Sequence, residues 1–299
     1  MDELTTNPIQ QLRPQEMMAP GHAACPGCGI AMGMRMVLRA VGPKVVVVVV
    51  PSCVAVISGP FPYTALKVPA FHSAFEIAAP TAGGISNALR IQGVNDVPVL
   101  AFAGDGGTFD IGLQGLSGAA ARNDDFIYVC MDNEAYMNTG IQVSSSTPRF
   151  AWTGTSPRGN PRRKKQIMEI MAAHRIPYAA TASVGYPEDL MNKVKRAVQT
   201  RGTRFIHVLS PCPTGWKISE HMSPKVGVAA VETNIFPLYE IVDGLQFTIT
   251  HQSKNLPVET YLGLQGRYKH LSDTEVLEIQ RETDRAWTAL QARAAEEPC

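Results

Sequence analysis

The chain has 299 residues, enough for one large domain or two small ones with a sizeable core, which excludes a peptide or a small disulfide module. It carries 27 Lys and Arg against 26 Asp and Glu, a net charge of +1, and so even a balance gives no basis for binding nucleic acid or an anionic membrane. With 45% hydrophobic residues it reads as globular, and the low 18% charged fraction fits a surface partly covered by other subunits.

The amino end, MDELTTNPIQQL, has early acids and no cationic region followed by an apolar core, so the sequence predicts no secretory signal and a cytoplasmic protein. After Cys25-Pro-Gly-Cys28, residues 29 to 42 read as a helix that leads into the valine run Val45–Val50. A run apolar on both faces predicts a central strand of a parallel sheet. Bounded by Lys44 and Pro51, it is far too short for a bilayer, which takes about 20 residues.

A second helix is expected over Ser73–Gln92. At its start His72 and Glu76, four residues apart, read as capping and dipole residues rather than a metal pair. The turn-like Gly93–Asp96 then leads into a strand (Val97–Ala103), a glycine turn, a small-residue helix (Ile111–Arg122) and a strand (Phe126–Met131).

From Glu134 to Arg163 the chain is rich in Ser, Thr, Gly, Asn and Pro without periodicity, and a loop of that length is expected to cover a site. The basic run Arg162-Arg-Lys-Lys165 reads as the solvated start of a helix, with steering of an acidic partner as the alternative. Helix Lys164–Arg175, strand Tyr178–Ala182, helix Pro187–Arg201 and strand Arg204–Leu209 complete the alternation. The fold class is therefore α/β, a doubly wound, mostly parallel sheet.

Beyond Cys212 the pattern loosens at Pro224, Pro237 and Pro257, until Ser272 and Glu275 form a capping-box pair starting a helix towards Ala295. Residues 1–225 are read as the binding domain, and 226–299 as an irregular C-terminal arm packing on other subunits.

Two motifs carry chemistry. The first is the strand ending in Gly104-Asp105-Gly106-Gly107 and opening a helix. Glycines allow close backbone approach, and a helix start attracts a diphosphate. Asp105 offers a hard oxygen to Mg²⁺, and Asn133, separated from Gly106 by 26 residues at the end of the next strand, offers a second. A tight turn with a capping Asp is the bland alternative. A nicotinamide site is disfavoured because the third glycine of G-x-G-x-x-G is missing. The spacing resembles the thiamine diphosphate motif, which implies Mg²⁺ held by Asp105, Asn133 and the carbonyl of Ala135.

The second motif is the pair Cys25 and Cys28, joined by Cys53 and Cys212, each just past a predicted strand. Four thiolates suit a [4Fe–4S] cluster or structural zinc equally, and a dithiol redox pair is a third reading. Cys130, within a strand, reads as a buried thiol and Cys299 as an exposed tail.

Together Cys25-Pro-Gly-Cys28-Gly29, Cys53, Gly104-Asp105-Gly106 and Asp132-Asn-Glu-Ala-Tyr-Met-Asn-Thr-Gly-Ile-Gln142 resemble the β subunit of 2-oxoacid:ferredoxin oxidoreductases, nearest the pyruvate type. The resemblance covers about residues 20 to 225. It implies that Cys25, Cys28, Cys53 and Cys212 hold a [4Fe–4S] cluster, and that Asn138 faces the substrate. It implies oxidative decarboxylation of a small 2-oxo acid, pyruvate first, to acetyl-CoA and CO₂, with electrons passing singly through the cluster to ferredoxin. Oxalate, a branched-chain 2-oxo acid or an aryl glyoxylate are alternative substrates, and whether coenzyme A takes part stays open. A non-catalytic iron–sulfur subunit is the alternative of another class. The family pattern also implies separate subunits, a pyrimidine-binding α type and a small ferredoxin-like iron–sulfur one.

Overall fold

The computed structural model describes residues 16–296; Cys299 lies outside them. The described residues build one sheet of eight strands in the order β2-β1-β3-β4-β6-β5-β7-β8. The strands are β1 (Val46–Val49), β2 (Ala70–His72), β3 (Val99–Gly104), β4 (Phe126–Asp132), β5 (Tyr178–Ser183), β6 (Thr203–Leu209), β7 (Tyr239–Val242) and β8 (Gln246–Ile249). All pairings from β2 to β5 are parallel, and β7 and β8 add antiparallel.

The central strands are apolar throughout because both of their faces are covered. Val47, Val49, Leu100, Phe102, Ile127 and Val129 pack with Met34, Val37 and Leu38 of helix Gly29–Val41 and Leu190 and Val194 of helix Pro187–Gln199. The alternate residues Val48, Ala101, Ala103, Tyr128 and Cys130 pack with Ala79 and Ala82 of helix Ala78–Ile91 and Leu116 of helix Leu113–Ala121. This period-two division is what a doubly wound sheet requires. Cys130 is fully buried, as expected.

Several elements differ from expectation. Ala70–His72 is an exposed edge strand, so His72 lies in β2 and Glu76 in the turn before helix Ala78–Ile91 rather than together on one helical turn. Between β3 and helix Leu113–Ala121 the chain forms a π-helical segment, Gly106–Ile111, a form that recurs at functional sites. Residues after Cys212 are better ordered than the prolines imply. Helix Ser223–Glu232 carries Pro224 in its first turn, where a missing N–H is harmless. Pro237 leads into the β7–β8 hairpin that extends the sheet. The capping box of Ser272 and Glu275 starts helix Asp273–Ala295 as predicted, and that helix lies on β8 of its own chain, with Arg293 over the Phe247 ring at 3.7 Å. No helix among the described residues is long and apolar enough to cross a membrane.

Candidate active site

The predicted site residues come together because four parallel strands end side by side. Gly104 pairs with Met131, so Asp105 and Asp132 leave the sheet as neighbours. Asp132 pairs in turn with Leu209, which brings the Ser210-Pro211-Cys212 segment alongside. Ser52, past the end of β1, caps helix Cys53–Ser58 by accepting from the Val54 N–H at 3.2 Å, which seats Cys53 at the same edge. Carboxyl ends of strands are where open α/β sheets bind ligands.

Asp105, Asn133 and Ala135 are all buried. The Asn133 amide oxygen lies 3.1 Å from Asp105 Oδ1 and 2.9 Å from the Ala135 carbonyl oxygen. An amide turned the other way would donate to both. With its oxygen inward, the Asn133 oxygen stands about one octahedral edge from each of the other two, about 3 Å for metal–oxygen bonds of about 2.1 Å. Burial, followed by the neighbouring Asp132 carboxylate, pushes the Asp105 carboxyl well above the usual range. A buried carboxyl so placed needs a proton or a cation, and the donor set fits Mg²⁺.

The shape of the Asp132–Ala135 turn follows from its tethers. Glu134 adopts a left-handed φ of 66°, uncommon outside glycine. Its N–H donates to Asp132 Oδ1 at 2.8 Å, its carbonyl accepts from Thr147 Oγ1 at 2.7 Å, and the Asn133 carbonyl accepts from Trp216 Nε1 at 2.8 Å. Lys164 Nζ donates to Glu134 at 2.9 Å and to Asp132 at 2.8 Å, and Arg267 donates to Glu134 at 2.6 Å. Asp132 also meets His207 Nε2 at 2.7 Å. Burial opposes the Asp132 charge, yet Lys164 and His207 hold its carboxyl below the usual range. Burial outweighs Asp132 at His207 and lowers its pKa, keeping the ring neutral.

These supports correct the reading of the basic run. Lys164 is not solvated but spans two buried carboxylates, with only 22% of its side chain exposed, and Lys165 donates to the Phe109 carbonyl. Arg162 and Arg163 are exposed, and Arg163 pairs with Glu282 at 2.8 Å. The Glu134–Arg163 loop does cover the site, with Ser144 donating to Asp105 and Ser146 to Asp132. Sequence reasoning missed Ser144, Ser146, Lys164, His207, Trp216 and Arg267; the cluster of hydroxyls in an aperiodic loop was the one signal for the serines.

The glycines have specific tasks. A Cβ on Gly106 would stand 2.1 Å from the Tyr136 ring, and one on Gly107 3.1 Å from Phe75. Part of the space they leave is therefore filled by the chain's own aromatics, while the segment's amino end stays at the carboxyl edge of β3. Gly27 has φ +69° and closes the Cys25–Cys28 turn, its carbonyl accepting from Ser223 Oγ at 2.6 Å. Gly29 packs on Pro211, the N–H donating to the Pro211 carbonyl at 3.1 Å.

That backbone contact brings Cys28 towards Cys212. A methyl on Gly29 would stand 2.6 Å from the Pro211 carbonyl oxygen. Gly29→Ala should therefore separate the two cysteines and lower stability by roughly 1–3 kcal/mol, checked by chemical denaturation; an unchanged unfolding midpoint would show that this contact tolerates a side chain.

The four cysteines form one electrostatic neighbourhood. Burial pushes the Cys53 thiol up to about 12, with Cys212, Cys28 and Asp105 adding to it. Burial likewise raises Cys212 to about 11, helped by Cys28 and Cys25, and it raises Cys28. Reactive redox thiols have lowered values, the opposite of what burial imposes on Cys28, Cys53 and Cys212. Thiols raised in this way become thiolates when they bind a metal. No three His, Cys, Asp or Glu among the described residues converge on a point suited to a single ion. Cys53 Sγ lies 3.6 Å from Asn133 Nδ2 and 3.3 Å from Asn138 Oδ1, so one sulfur touches both the oxygen site and the residue expected to face the substrate.

Comparison with known proteins places the chain among its relatives. Residues 52–208 match the family described as thiamine pyrophosphate enzyme, C-terminal TPP binding domain. The chain is 49% identical to pyruvate synthase subunit PorB of Methanothermobacter thermautotrophicus, over 90% of this chain and 96% of that protein. It is 43% identical to ketoisovalerate oxidoreductase subunit VorB of Pyrococcus furiosus, over 94% of each. Among solved structures, 2-oxoglutarate:ferredoxin oxidoreductase from Magnetococcus marinus, with 2-oxoglutarate, coenzyme A and succinyl-CoA bound, matches with a TM-score of 0.58 and 26% identity, over 71% of this chain and 69% of that one.

Proposed function

Because the chain belongs to the family of thiamine diphosphate-dependent 2-oxoacid:ferredoxin oxidoreductase β subunits, we propose that it oxidatively decarboxylates pyruvate, passing electrons through a [4Fe–4S] cluster to ferredoxin. The observation that carries this reading is the junction at Asn133, where three oxygens spaced for Mg²⁺ abut the sulfur of Cys53. Bound thiamine diphosphate would supply the electron sink for decarboxylation, and the cluster a one-electron acceptor.

The chain's own residues supply the frame. Asp105, Asn133 and the Ala135 carbonyl would hold Mg²⁺ on the diphosphate, with Gly104, Gly106 and Gly107 shaping the turn at the carboxyl end of β3. Cys25, Cys28, Cys53 and Cys212 would hold the cluster. Asn138, exposed and next to Cys53, would hydrogen-bond a substrate carboxylate or carbonyl. The Glu134–Arg163 loop excludes water from the carboxylate end of the metal site. The chain acts within a hetero-oligomer, and the outer surface of residues 226–299 would carry contacts to the α-type and small iron–sulfur subunits. A purely electron-carrying subunit would have no use for the buried Asp105–Asn133–Ala135 oxygens.

The likeness to VorB favours a branched-chain 2-oxo acid as the second reading. A panel of pyruvate, 2-oxoisovalerate, 2-oxoglutarate, oxalate and phenylglyoxylate on the full complex, with and without coenzyme A and scored by viologen reduction, decides between them. Pyruvate should give the highest kcat/KM; preference for 2-oxoisovalerate would transfer the assignment. Cys53→Ala should lose cluster iron and viologen reduction while retaining thiamine diphosphate. An intact iron content would remove Cys53 from the ligand set, and zinc without iron in the wild type would end the redox reading.

A further inference from the structure

The Asn133 carboxamide has two ends on two different centres. One end lies 3.1 and 2.9 Å from Asp105 Oδ1 and the Ala135 carbonyl oxygen and the other 3.6 Å from Cys53 Sγ, so that an oxygen on the first end puts an N–H on the sulfur. Resting on the function proposed above, we infer that Asn133 couples the metal–diphosphate site to the cluster through the orientation of this one amide.

The side chain is a two-position element. Without a cation the favoured orientation is the reverse one, in which the amide N–H groups donate to Asp105 and Ala135 and the oxygen turns to the sulfur. A cation repels those N–H groups and attracts the oxygen, so metal binding selects the orientation that aims an N–H at Cys53. A ligand that prefers one of two states shifts the population towards it.

The sulfur responds to that choice. As a thiol, Cys53 donates its proton to Asn138 Oδ1 at 3.3 Å. As a cluster ligand it has no proton, and the Asn133 N–H becomes its donor. Hydrogen bonds to cluster sulfurs raise the reduction potential, because they stabilise the charge that reduction adds. Binding of Mg²⁺ and thiamine diphosphate thus makes the cluster a better acceptor at the moment the substrate site is assembled. Linkage demands the reverse effect, that cluster reduction tightens the metal by the same factor.

The test uses the full hetero-oligomer and the electron paramagnetic resonance signal that Cys53→Ala abolishes. In the wild type, Mg²⁺ and thiamine diphosphate should favour reduction of that cluster by about tenfold, an upward shift of about 59 mV for one electron. Asn133→Ser and Asn133→Asp keep an oxygen for the metal and lack the N–H, so the cofactor-induced rise should vanish in both while iron content stays normal. In the wild type, titrating Mg²⁺ at fixed thiamine diphosphate should show about tenfold tighter binding in the dithionite-reduced complex than in the oxidised one.

A wild-type potential that is unmoved or lowered by the cofactor overturns the inference, as does a rise that persists in iron-replete Asn133→Ser. If neither variant assembles a cluster, equal Mg²⁺ affinities in the two redox states of the wild type overturn it, and unequal ones in the stated sense support it. Absence of iron or thiamine from the wild-type complex would instead strike the proposed function itself.

Discussion

Asp105→Ala should leave a complex that retains its iron but no longer binds Mg²⁺ and thiamine diphosphate at concentrations saturating for the wild type. Removing an outer partner of a metal site costs about 10–100-fold in affinity, and Asp105 is the one carboxylate among the three proposed oxygen ligands, so its loss should exceed that range. Stability should move the other way. Asp105 is buried beside Asp132, and its folded pKa lies above the unfolded value. Such a carboxyl contributes stability below its unfolded pKa, and that contribution is lost as pH rises through the folded one. At neutral pH without cation the charge therefore works against folding. Asp105→Asn, which retains a partner for Ser144, should raise the unfolding midpoint of the cofactor-free protein while still failing to bind the cofactor. Cofactor assay and thermal denaturation read the two effects separately. Normal thiamine content in Asp105→Ala would remove this residue from the ligand set.

The sheet was legible because its signal is local. Strands such as Val45–Val50 and Phe126–Met131 are apolar on both faces, and the glycine turn and the cysteine pair sit at fixed offsets from them. Edge elements were less visible. Ala70–His72 is too short and too exposed to carry a pattern, and β7 and β8 lie among prolines whose roles at helix and strand starts depend on context. The residues proposed as ligands stand out by their spacing, whereas the residues that hold them do not. Lys164 sits in a run that reads as surface charge, and only the return of the Asp132–Glu134 turn beneath it makes it an internal ion pair. Arg267 lies 133 residues from its partner Glu134. Contacts of that separation are created by the fold, so nothing in either neighbourhood of the sequence announces them.

Arg267 is where that hidden support should show most strongly. Its guanidinium is 2% exposed, donates to Glu134, to Gln265 Oε1 at 2.8 Å and to the Tyr261 hydroxyl at 3.2 Å, and stacks on the Trp216 ring at 3.8 Å. Trp216 itself holds the Asn133 carbonyl, so one cation steadies both ends of the strained turn. Breaking a buried ion pair on one side costs about 3–5 kcal/mol, because the remaining charge is left unpaired. Arg267→Met should therefore lower the unfolding midpoint on the order of 10 °C. Freed from Arg267, Glu134 would relax from its left-handed conformation and carry the Ala135 carbonyl out of the metal site, so Mg²⁺ affinity should fall with stability. Arg267→Lys keeps the charge but loses the fork and the stacking, and should restore stability only in part. Arg163→Ala, which removes a cation with 72% of its side chain exposed, should change neither quantity. The double variant Arg267→Met with Glu134→Gln removes both charges and should recover part of the lost stability without recovering Mg²⁺, since the tether itself is gone. Arg267→Met with wild-type midpoint and wild-type Mg²⁺ affinity would show that the turn keeps its shape without this cation.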